Sequence, residues 1–135
     1  MNGELDERLR LFLRDFVSSY EALETLLFLA KNAGREWSRA EVAAQLNVTA
    51  ESIAEALAEL VGVGGLVEAT QRAGTLLYRY APSRDSCAQQ VSELLQAYDE
   101  QRLSVVQIMS ANALERVRSA AIAMAVLDKN RRSRG

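Results

Sequence analysis

Between Ser38 and Tyr80 the hydrophobic period changes once, from the spacing of two short helices to that of short strands. Ser38-Arg39-Ala40-Glu41 is a capping box, in which serine and glutamate satisfy each other's free amides at a helix start. The helix it opens carries Val42, Ala43 and Leu46 before Asn47-Val48 interrupts it, and Thr49 caps a second helix with Ile53, Leu57, Leu60 and Val61 on one face. Gly62-Val63-Gly64-Gly65 is too flexible to extend that helix. Leu66-Val67-Glu68-Ala69 and Leu76-Leu77-Tyr78-Arg79-Tyr80 are rich in β-formers and flank the polar stretch Thr70 to Gly74, which reads as a hairpin. Trp37 fits a short third strand.

Helices are expected on both sides of this unit. Leu5, Leu9, Phe12 and Phe16 recur at helical steps, and Ser18-Ser19-Tyr20-Glu21 reads as a capping box for a helix ending near Asn32-Ala33-Gly34. After Pro82, the only proline, Ser83 can cap a long amphipathic segment with Val91, Leu94, Tyr98, Val105 and Ile108 at near-heptad spacing, broken at Gln101 and Arg102. Asn112 and Glu115 could cap a separate last helix, although one continuous bent helix is compatible with the residues there. The expected division is an N-terminal helix over 1–18, a central domain over 19–82, a helical region over 83–128 and a basic mobile tail over 129–135.

Composition narrows the function. With 135 residues, 49% of them apolar, the chain can bury one core, and its strong helix formers with 6% aromatics favour a mainly α fold. It has no histidine and a single cysteine, Cys87, which removes the usual zinc sets, the Ser-His-Asp and Cys-His arrangements and any internal disulfide. No catalytic residue, metal site or cofactor is expected. Gly62, Gly64 and Gly65 lack the preceding strand and following Lys-Ser/Thr of a phosphate cradle. The start of the chain lacks the pattern of a signal peptide, and no apolar run approaches the roughly 18 residues of a membrane span, so a cytoplasmic protein without a membrane partner is expected.

Helix, short helix, turn, helix and hairpin is the order of a winged helix-turn-helix, and Trp37 to Thr49 resembles its strand, second helix and turn, with Gly65-Leu66-Val67 as entry to the wing. With its flanking helices the layout is similar to MarR-type and PadR-type bacterial transcription regulators. The resemblance implies a mainly α fold with a small β-hairpin wing, flanked by N-terminal and long C-terminal helices that form a homodimer. It also implies a transcriptional regulator that reads double-stranded DNA with the helix from Ala50 to Val61, through a turn at Asn47 to Thr49 and a wing tip at Gln71 to Gly74. The DNA-binding candidates are Arg39, Thr49, Ser52, Gln71, Arg72 and, in the tail, Arg131 and Arg132.

The charge pattern departs from that design. The net charge is −2, no Lys or Arg occurs between Glu41 and Glu68, and Glu51, Glu55 and Glu59 line the outer side of the expected reading helix. DNA binding ordinarily depends on phosphate neutralisation by Lys and Arg. The same three glutamates could form a solvated face, or they could make the unit an adaptor docking on a basic protein surface. The apolar stripes of Leu5, Leu9, Phe12 and Phe16 and of Val91, Leu94, Tyr98, Val105 and Ile108 exceed what so short a chain is expected to cover, and are assigned to dimerisation.

Overall fold

The computed structural model describes residues 3–62 and 65–134, with side chains described for 7–62 and 65–129. Its elements are α1 (Gly3–Phe16), α2 (Tyr20–Lys31), β1 (Trp37–Ser38), α3 (Arg39–Leu46), α4 (Ala50–Gly62), β2 (Val67–Arg72), β3 (Thr75–Tyr80), α5 (Asp85–Glu100) and α6 (Arg102–Arg134). The protein is mainly helical with one small antiparallel sheet, as its sequence predicts.

Local chemistry explains the central unit. Ser38 and Glu41 make both hydrogen bonds of the capping box, at 2.9 and 3.1 Å, so α3 starts where β1 ends. Asn47 then adopts the left-handed conformation (φ 58°), which asparagine tolerates better than most residues, and the Val48 N–H returns to the Ala43 carbonyl. Thr49 accepts the Ser52 N–H at 3.2 Å and starts α4. The sheet runs β1-β3-β2, with Trp37 opposite Tyr78 and Val67 opposite Tyr80. The strands extend further into the polar stretch than expected, leaving a two-residue turn at Ala73-Gly74, both with positive φ. Gly65 (φ +60°) approaches the residue after Pro82 so closely that a Cβ would lie 2.8 Å from the Ser83 hydroxyl.

One core joins all the elements. α2 packs on α4, and Leu23, Leu26, Ile53, Leu57, Leu60 and Leu66 are almost fully buried. The stripes expected to await a partner are covered within the single chain. Leu9 and Phe12 are buried where α1 meets α5 and α6, Val91, Leu94, Tyr98 and Val105 are buried with them, and Phe16 and Ile108 pack at the core margin. The side chain of Leu5 lies outside the described residues. The premise that these stripes outrun the chain fails because α1 and α5 lie against α6 and cover one another.

Three expected boundaries move. The cap of α2 is Ser19, which accepts the Ala22 N–H at 3.0 Å, and not Ser18. α5 begins after Arg84 with no side-chain cap, so Ser83 does not serve as one. The break in the C-terminal region falls at Gln101, in an extended φ of −142°, and α6 then continues unbroken through Arg134. Asn112 therefore caps nothing: it is buried inside α6, and its Nδ2 donates to the Arg10 carbonyl at 3.2 Å, fastening α6 to α1. The separate tail expected from residue 129 is a continuation of that helix.

Candidate nucleic-acid interface

α3, the Asn47 turn, α4 and the β2–β3 hairpin form the surface that holds most of the candidates predicted from sequence. Glu51, Ser52 and Glu55 are exposed on the outer side of α4, while Ile53, Ala56, Leu57 and Leu60 anchor its inner side. The helix phase predicted from the apolar spacing is the phase observed.

The candidates differ in what they are free to contact. Arg39 is exposed at the first position of α3. Thr49 and Ser52 are exposed, but their side chains serve the α4 start: Thr49 Oγ1 accepts from Ser52 N, and Ser52 Oγ donates to the Thr49 carbonyl at 2.9 Å. Gln71 and Arg72 are exposed at the end of β2 beside the hairpin turn. Arg72 donates to Glu36 at 3.1 Å in a surface ion pair, its side chain remaining 63% exposed. Arg131 and Arg132 have side chains outside the described residues.

The carboxylates also separate into two kinds. Glu51 and Glu55 face solvent on α4. Glu59 does not belong to that face in function, because both its oxygens accept hydrogen bonds from Ser18 across the α1–α2 turn. No periodicity in α4 could have revealed this, since the partner is 41 residues away in sequence. Other pairs crowd the same half of the protein. Arg35 meets Glu41 at 3.2 Å and lies 3.6 Å over the Trp37 ring, and Arg79 meets Glu68 at 3.3 Å. The Ser38 amide, then its hydroxyl, hold the Glu41 carboxyl below the usual carboxylate range, with Arg35 adding to the effect. Among the described residues there is no group of three or more side chains able to hold a metal ion.

The longest run of uncovered apolar side chains lies elsewhere, on the distal part of α6. Leu114, Val117, Ile122, Met124, Val126 and Leu127 are each more than half exposed. From Ala120 to Leu127 the helix carries no polar residue on any side. Heptad spacing does not reveal this segment, because it is apolar all round and shows no stripe. No helix of the described residues is long and apolar enough to cross a membrane.

A short helix and a second helix joined through a left-handed turn, followed by a two-stranded wing with a third strand contributed ahead of the first helix, define a winged helix-turn-helix domain. Two solved structures are similar to this chain over most of its length. Reduced HlyU from Vibrio cholerae is 19% identical, with 73% of this chain and 94% of HlyU covered at a TM-score of 0.50. The homodimeric winged helix-turn-helix DNA-binding domain of Mb0332 from Mycobacterium bovis, described as a possible ArsR-family transcriptional regulator, is 21% identical, with 74% of this chain and 82% of that fragment covered at a TM-score of 0.48. Neither is described as MarR-type or PadR-type. No family model and no curated protein sequence matches the chain.

Proposed function

We propose that this chain is a transcriptional regulator that binds double-stranded DNA as a homodimer, with α4 as the reading helix and the β2–β3 hairpin as the wing. The observation that carries the reading is that Arg39 on α3, Glu51, Ser52 and Glu55 on α4, and Gln71 and Arg72 beside the Ala73-Gly74 turn are all exposed on the elements of the helix-turn-helix and wing. Arg39 is an exposed cation at the start of α3, and Gln71 and Arg72 lie beside the hairpin turn, where in this reading a wing meets the backbone. Ser52, exposed on the first turn of α4, keeps its hydroxyl proton on the Thr49 carbonyl, and its free oxygen lone pair supports a contact to a base-edge donor in this reading.

Homodimerisation is supported by α6. Its exposed side chains from Leu114 to Leu127 span about four turns, a length suited to pairing with a second copy, and leaving them in water would be unfavourable. A dimer also doubles the few cations available for phosphate contact.

A second reading rests on Glu51 and Glu55. They are exposed on α4 with no Lys or Arg on that helix, and an acidic helix face complements a basic protein surface better than a duplex. Electrophoretic mobility shifts on genomic fragments at low salt separate the two. The DNA reading expects a retarded band, strengthened when Glu51 and Glu55 are replaced by Gln. Absence of a band for both proteins would favour the adaptor.

A further inference from the structure

A cavity of about 220 Å³ opens between the first turns of α2 and the α3–α4 turn, lined by Tyr20, Glu21, Glu24, Leu46, Val48 and Ile53. Leu46, Val48 and Ile53 supply an apolar wall, and Tyr20 adds an aromatic ring. The lining holds two carboxylates and no cationic side chain, and neither Glu21 nor Glu24 is in a salt bridge within the described residues. Glu24 is partly buried and is held in place from α5, where the Tyr98 hydroxyl donates to Glu24 Oε1 at 3.3 Å and shares a hydrogen bond with the Tyr20 hydroxyl at 3.1 Å. Hydrogen bonding to Glu24, then to Tyr98, raises the Tyr20 phenol above its ordinary range, so Tyr20 stays neutral and leaves the carboxylates as the site's charge. Tyr20 and Val48 remain 46% and 41% exposed at the same opening. Away from α6, large apolar side chains are otherwise exposed among the described residues only at Leu76.

An occupant must therefore offer positive charge toward one wall and apolar surface toward the other. A bare metal ion would leave the apolar wall unused and would find too few ligands. An anion would meet two carboxylates. The volume, equivalent to roughly seven waters, admits a small molecule and not a nucleotide. We infer that this cavity binds a small organic ammonium ion, a primary amine carrying an apolar group of about the size of a phenyl ring, with the ammonium at Glu24 and Glu21 and the apolar group against Leu46, Val48 and Ile53. Such binding does not depend on whether α4 contacts DNA.

Titration of the isotopically labelled full chain at neutral pH and fixed ionic strength with benzylammonium chloride, benzyl alcohol and sodium benzoate tests it, read by backbone amide NMR shifts. Benzylammonium should produce saturable shifts at Leu46, Val48 and Ile53, with affinity roughly tenfold above benzyl alcohol, and benzoate should produce none. Glu24→Gln keeps an acceptor for Tyr98 and should weaken benzylammonium binding about fivefold or more. Val48→Lys, at an exposed position, plants an ammonium at the rim and should abolish it while leaving the folded spectrum intact. Shifts confined to other residues, equal affinity for the alcohol, or unchanged binding by both variants would overturn the assignment.

Discussion

Ser18 donates both its backbone N–H and its hydroxyl to the two carboxylate oxygens of Glu59, at 2.6 and 2.5 Å, tying the α1–α2 turn to the last turn of α4. Arg116 of α6 donates to the Ser18 carbonyl at 2.7 Å, so the same residue joins three helices. Hydrogen bonds to a charged group are the stronger kind, and Glu59→Ala should cost about 1–3 kcal/mol, read as a lower denaturant midpoint with an unchanged slope. Glu55→Ala, one turn away and exposed, should leave the midpoint where it is. Equal effects of the two substitutions would show that Glu59 is as free as its neighbour.

The buried side of α4 gives a larger effect. Leu57 is fully buried on the inner side of α4, and Leu57→Ala should destabilise the protein by about 2–5 kcal/mol in equilibrium unfolding. A destabilisation well under 1 kcal/mol would mean that α4 does not pack as described.

Gly65 is required for two separable reasons, its left-handed backbone and its contact with Ser83. Gly65→Ala should lower stability by about 1–2 kcal/mol from the backbone alone, with the clash at Ser83 Oγ added. Removing the hydroxyl with Ser83→Ala in the same chain should restore only the second part. Full recovery in the double variant would contradict the backbone assignment.

Acid titration probes the α3 cap. Because Ser38 lowers the folded-state pKa of Glu41 below its ordinary value of 4.5, the cap's contribution is present above that pH and is lost as pH falls through the folded value. Glu41→Gln should therefore flatten the acid side of the stability profile while leaving its shape above pH 5 unchanged, as measured by thermal unfolding across pH. An identical acid slope in both proteins would refute the linkage.

The proposed pairing of two chains is tested through α6. Ile122 is 65% exposed, so Ile122→Glu should leave the fold of the single chain intact by circular dichroism while converting a two-chain mass by light scattering at micromolar concentration into a one-chain mass. A one-chain mass for the unaltered protein would remove the homodimer from the account.

How much of this is legible in the sequence depends on how far each interaction reaches. The Ser38–Glu41 box, the Asn47 turn, the Thr49 cap and the apolar phase of α4 are decided within a few residues, and all are readable from the chain itself. Ser18 and Ser19 are adjacent and either fits a cap pattern, so only the distant Glu59 decides that Ser18 turns away from α2. The stripes on α1 and α5 mark buried faces, but periodicity does not say whether the cover comes from the same chain, and here α6 supplies it. Asn112 has the residue type of a cap and the position of a mid-helix anchor, a difference set by the Arg10 carbonyl across the core. At the candidate interface the exposed glutamates and arginines are visible in the helix and strand periods, whereas the pairing of Arg72 with Glu36 and of Arg79 with Glu68 depends on the register of the sheet.

Binding of duplex DNA by the α3–α4–wing surface is tested most directly by fluorescence anisotropy on a fragment retained in the mobility shift, measured across salt concentration. The expected log–log dependence is linear, with a slope of about −0.9 per neutralised phosphate, and it should become shallower by about 1.8 in a two-chain complex carrying Arg39→Ala or Arg72→Ala. Binding by the Glu51→Gln, Glu55→Gln protein should be tighter at every salt concentration. No binding at low salt by either the unaltered chain or that variant would contradict the account.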